Sequence, residues 1–560
     1  MQSLEYFKIG PGTQIAIICT NSCLMKLPYF LSLQLKSLSL SFHLPVDITM
    51  PNLSLKALSA SLGLTLLSLP VLSQTLHLDP DKKYQVMHSF GASDCWSMQM
   101  VGKYYPENKR EKIAEWLFSK ATDAEGNPKG IGLSMWRFNI GAGSTEQGKE
   151  SKITNEWRRA ESFITKDGYD WNKQQGQRWF LDAAKRYGVN YTLGFLNSAP
   201  VSMTKNGLAI ASGKLGDWNF DKTKIDDFSR FLADVSEKLR FDYISPFNEP
   251  QWDWGPKSSS GFGSQEGTPI QNADLAWAVR KLDGELKKRN IKTKISVAET
   301  AQIDYLYGDK TNRSEQGQDR QIEAFFDTKS PDYLGNLSTL EPAISGHSYF
   351  TTSPVSQLNG KREQLAQKLK THQVSYWQSE YCILGDNAGE INGGKMDLGM
   401  KTALYVAKVI HADLTVANAS AWHWWLSVSA NDYKDGLIYV AKDGKPGENE
   451  ANKFDGEVMD SKLMWALGNY SRFISPGMER IEAKSEDNEV LVSAFKSKTE
   501  VVTVVINPSD KEKKMTIPQV FKRQKAAVYI TSASASLKKG VVKGKSFVIP
   551  PASVLTLVLN

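Results

Sequence analysis

The chain has 560 residues, 41% hydrophobic and 10% aromatic, with a formal net charge of +7. That length exceeds one ordinary domain, and the composition is that of a globular protein rather than a disordered or fibrous one. Most of the charge lies in residues 481–560, which hold 13 basic and 7 acidic side chains, while residues 74–480 come to −1. The bulk of the chain therefore lacks the basic footprint of a nucleic-acid-binding protein.

Residues 1–49 read as an upstream extension, disordered or ahead of a misassigned start. Met50-Pro51-Asn52-Leu53-Ser54-Leu55-Lys56 and the apolar run 57–72 read as a secretory signal peptide spanning 50–73, with Val71 and Ser73 flanking a small-residue cleavage site. The competing reading is a genuine leader or anchor, but the run is short and Ser-rich for a membrane span. The expected destination is secreted or periplasmic. Cys19 and Cys23 lie in this stretch. Cys95 and Cys382, far apart in the body, spell neither a disulfide framework nor a metal site and are expected to be free thiols.

Residues 74–84 are expected to join a C-terminal β domain. From residue 85 to 476 short apolar runs alternate with amphipathic helices. The strand candidates are 87–93, 131–140, 189–196, 243–248, 294–298, 343–347, 374–379 and 421–426. Between them Ile225, Phe228, Phe231, Leu232, Val235 and Leu239 recur at helical spacing, as do Leu275, Val279, Leu282 and Leu286. A third long helix is expected over 396–414. Eight such alternations predict an α/β fold, a parallel (β/α)8 TIM barrel. Beyond residue 477 the runs 490–495, 501–506, 526–530, 546–549 and 554–559, separated by turn residues, predict an antiparallel β-sandwich side domain over 477–560, its lysines on solvated faces.

Two strand-like runs end on a single glutamate: Ser245-Pro246-Phe247-Asn248-Glu249-Pro250 and Tyr376-Trp377-Gln378-Ser379-Glu380, the two acids 131 positions apart. Barrel enzymes carry their working groups at the C-terminal ends of strands. A facing pair of carboxylic acids, one protonated and one ionised, is what glycosidic bond cleavage requires. Pro250 is expected to hold Glu249 in extended backbone. Arg137, inside the second strand, is the cation suited to keeping a nucleophilic carboxylate ionised. The competing reading of each acid is a buried structural ion pair. Glu299, ending the fifth strand, is the rival carboxylate, read as a sugar contact or loop anchor.

The ordered set Asn248-Glu249-Pro250 and Glu380, with His88-Ser89-Phe90-Gly91-Ala92-Ser93, Arg137-Phe138-Asn139-Ile140-Gly141 and Leu467-Gly468-Asn469-Tyr470-Ser471-Arg472-Phe473-Ile474-Ser475-Pro476-Gly477, resembles glycoside hydrolase family 30 of clan A over roughly residues 80–560. The resemblance implies retaining hydrolysis on a barrel with a side β domain. It implies Glu249 as acid/base, Glu380 as nucleophile and Asn248 as a ligand of the sugar 2-hydroxyl. Substrate contacts are further expected from Arg137 and from the strand-end residues Asp94, Trp96, Asn197, His347, Tyr349 and Trp424, with Trp425 beside it as the other candidate floor of the cleavage subsite. Trp252-Asp253-Trp254 and Gly263-Ser264-Gln265-Glu266-Gly267-Thr268 are similar to the loop after the acid/base in endo-β-1,6-galactanases of the family, so a β-1,6-galactan is the expected substrate and Trp252 a platform for it. Alternatives are a β-1,6-glucanase, a xylanase, an exo-acting β-glycosidase, or a non-catalytic carbohydrate-binding surface protein. No metal and no cofactor is expected, and the partner is a polysaccharide or oligosaccharide met by a monomer.

Overall fold

Eight strands pair in parallel, each with the next in the chain: β1 (Ser89–Ser93), β2 (Met135–Asn139), β3 (Tyr191–Phe195), β4 (Tyr243–Ser245), β5 (Lys294–Thr300), β6 (Leu340–His347), β7 (Ser375–Glu380) and β8 (Ala421–Ser429). Pairing of β7 with β8 and of β8 with β1 closes the ring. The computed structural model describes residues 74–256, 261–518 and 525–560, and the backbone of two short paired strands, Tyr6–Lys8 and Gln14–Ala16. These last two belong to a separate unit, residues 1–68. The signal peptide read at 50–73, and Cys19 and Cys23, lie outside the described residues.

The strand sequences are apolar because both faces are covered. In β2 all five residues are buried. Trp136 and Phe138 point out, Trp136 edge-on to Phe118 at 5.0 Å, while Arg137, of opposite parity, points into the ring. Helix Ile225–Leu239 puts Ile225, Phe228, Phe231, Leu232 and Val235 on one buried stripe, with Asp226 and Asp227 in its first turn, where the helix dipole favours anions. Asn272–Lys288 buries Leu275, Val279, Leu282 and Leu286 in the same way. Each such side chain removed from water is worth about 1.5–3 kcal/mol. Met400–Thr415 begins four residues later than its sequence suggests. The carboxylate of Asp397 takes the N–H groups of Gly399 and Thr402 and so sets the helix start.

Beyond β8 the chain adds Gly436–Ala441, parallel to β8, and Glu457–Asp460, antiparallel to that. Among the described residues the C-terminal sheet has nine strands and includes Gln74–Val86, which runs antiparallel to Glu479–Ser485 and parallel to Lys513–Thr516. Its strands share one core containing Leu76, Ile481, Val492, Val505, Met515, Phe547 and Leu555. Alternate residues Val502, Val504 and Ile506 join the barrel's core instead. Asn469, on helix Lys462–Ser471, donates to Thr556 Oγ1 at 2.9 Å and to the Tyr529 carbonyl at 3.1 Å, pinning the sheet to the barrel. The tail's basic residues Lys511, Lys514, Lys538, Lys539, Lys543 and Lys545 are exposed, as solvated faces require. Among the described residues no helix is long and apolar enough to cross a membrane.

Candidate active site

At the C-terminal mouth of the ring a cavity of about 860 Å³ opens, with both Glu249 and Glu380 in its wall. Glu380 is the last residue of β7; Glu249 follows β4 by four positions. Glu249 does not adopt the extended backbone that Pro250 suggests: its φ is +46°, in the left-handed region. Two tertiary bonds impose this, one from the Glu249 N–H to the Glu299 carbonyl (2.8 Å) and one to the Glu249 carbonyl from Trp254 Nε1 (2.9 Å). A non-glycine residue held there costs of order 1–3 kcal/mol and persists only where its surroundings over-determine it.

The reacting atoms are set by a network of five ionisable groups. Arg137, fully buried over the Phe195 ring, donates from Nη1 to Glu380 Oε2 (3.1 Å) and from Nη2 to Glu299 Oε2 (3.2 Å). His347 bonds through Nδ1 to Glu249 Oε1 (3.0 Å) and through Nε2 to Glu299 Oε2 (3.2 Å). Tyr349 donates its hydroxyl to Glu380 Oε1 (2.9 Å), and Ser379 Oγ donates to Glu299 Oε2 (2.7 Å). Glu249, His347 and Glu380 each bring one ligating atom within 4.8 Å of the others. So close an approach of the two carboxylates is compatible with the retaining arrangement and leaves less room than the about 6.5–9.5 Å of inverting glycosidases.

The charges follow from this geometry. Burial raises the Glu299 carboxyl, but Arg137 and His347 outweigh it and hold it down to about 2. Burial lowers His347, but the three carboxylates outweigh it and lift the imidazole to about 10. Burial pushes the Glu380 carboxyl up, Glu249 adds to the push, and His347 and Arg137 pull against it. With every group ionised, three anions face two cations. One proton taken up anywhere among these groups makes the cluster neutral.

The remaining expected residues divide into wall and support. Asn248, Trp96, Trp252 and Tyr349 line the cavity. Asp94, Asn197 and Arg137 do not; they stand behind it. Asp94 Oδ1 accepts from the Asn139 N–H (2.8 Å) and from Gln177 Nε2 (3.0 Å). Asn197 donates to Asn139 Oδ1 (3.2 Å), and Asn248 donates to Asn197 Oδ1 (3.1 Å), so a file of amides fixes Asn248 and leaves its Oδ1 without a partner. Glu299 is an anchor, wholly buried, rather than a sugar contact. Cys95 and Cys382 are both free and buried. Glu266 clamps the loop after Glu249, accepting from the N–H groups of Ala142 (3.1 Å) and Ser144 (3.2 Å). Gly267 passes so close to Trp254 that a Cβ there would lie 2.2 Å from the ring.

Trp424 is a correction. It is fully buried, its indole N–H donated to the Asp435 carbonyl (2.7 Å), and it is Trp425 that lines the cavity. The eighth strand runs on to Ser429, so both tryptophans sit within it. Trp424 shares a face with Trp422, their rings stacked at 6.3 Å, and a register shift against β1 falls between Trp424 and Leu426. Truncating Trp424 to Ala is therefore expected to cost about 3–5 kcal/mol in chemical denaturation. Trp425→Ala should lower kcat/KM with a smaller loss of stability.

Sequence reasoning also passed over Arg158, which ends the short 3-10 helix Glu156–Arg158, and Asn431, Tyr433 and Asp435, all of which line the cavity. The setting of the last three, Asn431-Asp432-Tyr433-Lys434-Asp435-Gly436, reads in sequence as an ordinary turn.

The sequence model of the family described as O-Glycosyl hydrolase family 30 matches residues 73–439. The chain belongs to glycoside hydrolase family 30. It is a glycosidase of the retaining, double-displacement kind that the family employs. An endo-β-1,6-galactanase of Hypocrea rufa is 22% identical over 458 residues, 77% of this chain and 80% of the relative. The crystal structure of a conserved exported protein from Bacteroides fragilis is 34% identical, covers 86% of this chain and all of that one, and superposes with a TM-score of 0.78. The catalytic domain of the family 30 xylanase C from Talaromyces cellulolyticus is 20% identical with a TM-score of 0.61, covers 87% of this chain and all of that one, and shares the fold.

Proposed function

We propose that this family 30 enzyme is an exported endo-β-1,6-galactanase. Glu249 protonates the glycosidic oxygen while Glu380 attacks the anomeric carbon. In the second half Glu249 takes the proton of the water that releases the sugar from Glu380. The donors support these roles: Glu380 accepts from a guanidinium and a phenol, two groups that favour its ionised form, whereas among the described residues the Glu249 side chain is bonded by His347. Asn248, its Oδ1 free, accepts the sugar 2-hydroxyl. The observation that carries the substrate is the relation to a β-1,6-galactanase over most of both chains. The Trp252 ring, edge-on to Tyr305 and Phe350 in the cavity wall, offers a face for sugars beyond the scissile bond. The exported relative supports a place outside the cytoplasm.

Incubation with β-1,6-galactan should release a ladder of galacto-oligosaccharides. Degradation of β-1,6-glucan or xylan with β-1,6-galactan untouched would refute the substrate, and release of galactose alone would refute endo action.

The pH profile checks the pair. Burial raises Glu380, and protonating it removes the nucleophile. The acid limb of kcat/KM should therefore lie above the ordinary glutamic acid value of about 4.3. His347→Phe deletes a cation that favours the carboxylate, so the limb should move to higher pH.

A further inference from the structure

Away from the reacting pair the cavity has two ends. One is the loop after Glu249, with Trp252 and Trp254. The other is built by Trp96, Arg158, Trp425 and Asp435, with Arg158 and Trp425 both packed on Trp96. In a double displacement the leaving group departs on the acid's side, so the sugar attacked by Glu380 extends toward the second end.

That end contains an unsatisfied buried acceptor. Asp435 is 5% exposed; burial raises its carboxyl to about 6 against the Ser429 hydroxyl and the Arg158 charge, and its Oδ1 has no hydrogen-bond partner. Its position is fixed. Its carbonyl holds the Trp424 indole, and the next residue, Gly436, lies so close to Ser429 that an added Cβ would come within 2.8 Å of that side chain. Arg158 stands near it, stacked 4.1 Å over Trp96 and tethered through Nε to Glu448 Oε2 at 2.6 Å. Trp96 and Trp425 meet edge to face at 5.2 Å. A carboxylate oxygen left unpaired in so dry a setting is costly unless a ligand supplies a donor. Aromatic walls with one charged acceptor suit the apolar faces and the hydroxyl rim of a neutral sugar. A ligand carboxylate would meet Asp435 and Glu448 together.

We propose that Asp435 is a specificity-determining residue, accepting a hydrogen bond at Oδ1 from a hydroxyl of the neutral hexose on the glycon side of the scissile bond. This assignment rests on Glu249 as acid and Glu380 as nucleophile, which orient the chain, but not on the identity of the hexose.

The test is a substrate–variant cycle on whichever β-glycan the wild type cleaves. Oligosaccharides of that glycan carrying a single deoxygenation on the glycon-side sugar are compared for wild type, Asp435→Ala and Asp435→Asn. Wild type should lose about 10- to 100-fold in kcat/KM at one deoxy position, the range of a hydrogen bond to a charged group. Asp435→Ala should lose a similar factor on the intact substrate and show no further loss at that position, while other positions behave as in wild type. Asp435→Asn, which keeps shape and one acceptor, should fall between. Equal losses by Asp435→Ala on every analogue, with each deoxy penalty intact, would overturn the proposal and mark a structural role. If the glycan proves not to be a β-1,6-galactan, the cycle still decides on Asp435. If Glu249 and Glu380 exchange roles in the rescue experiment of the Discussion, the orientation itself is wrong.

Discussion

Glu380→Ala is expected to lower kcat on natural linkages by about 10⁴-fold or more, the scale on which loss of a covalent nucleophile is felt. Glu249→Ala should lose about 10²–10⁴-fold on substrates whose leaving group needs a proton, and much less on aryl glycosides whose leaving group does not. These losses alone do not separate the roles, because both acids face one cavity within 4.8 Å. Added azide does. In the Glu380→Ala variant the small anion occupies the space of the missing carboxylate and attacks the anomeric carbon directly, so the glycosyl azide has inverted configuration. In the Glu249→Ala variant Glu380 still forms the covalent intermediate, and azide attacks from the face the leaving group vacated. That second inversion restores the original configuration. Proton NMR of the two products reads the roles directly. Retained product from Glu380→Ala, or inverted product from Glu249→Ala, would reverse the assignment.

The barrel was legible because its strands are buried on both faces and therefore stand out as apolar runs between helical stripes. All eight expected runs overlap observed strands. What the pattern could not carry was which side of a strand meets the cavity. Arg137 was readable, since a charge inside an apolar strand must find a partner, and it finds two. Trp424 and Trp425 were not, because choosing between adjacent indoles needs the length of the strand and the place of its register shift. The bend at Glu249 escaped for a related reason. Its φ is dictated by bonds to Glu299 and Trp254, contacts from residues 50 and five positions away that no local propensity encodes. Asp435 looks like a turn residue, and only the packing of Gly436 on Ser429 and the indole of Trp424 turns that loop into cavity wall. Residues 74–84 were legible as a segment joining the C-terminal β domain but not as one strand, Gln74–Val86, since Asp79-Pro80-Asp81-Lys82-Lys83 breaks its apolar alternation.

Arg137→Met is the second large effect. The guanidinium is wholly enclosed and binds two carboxylates, so its removal leaves three acids facing a single cation, His347. Breaking a buried pair from one side costs about 3–5 kcal/mol, which a denaturant titration will resolve. Arg137→Lys keeps the charge but not the fork, and one ammonium cannot reproduce the parallel bonds to Glu299 and Glu380; it should recover part of the stability and little of the activity. Adding Glu299→Gln to Arg137→Met removes the stranded anion and should restore stability without restoring turnover, because Glu380 still lacks the cation that favours its ionised form. The pH dependence has a definite sign. In wild type Glu299 is held to about 2, so its contribution is full above the ordinary value of about 4.3 and fades as pH falls toward 2. Without Arg137 the carboxyl titrates higher and its penalty disappears sooner on acidification. The stability gap between wild type and Arg137→Met should thus be widest near neutrality and narrow as the solution is acidified. A gap that stays constant from pH 7 to pH 4 would mean that Arg137 acts by filling space over Phe195, not by balancing the acids that do the chemistry.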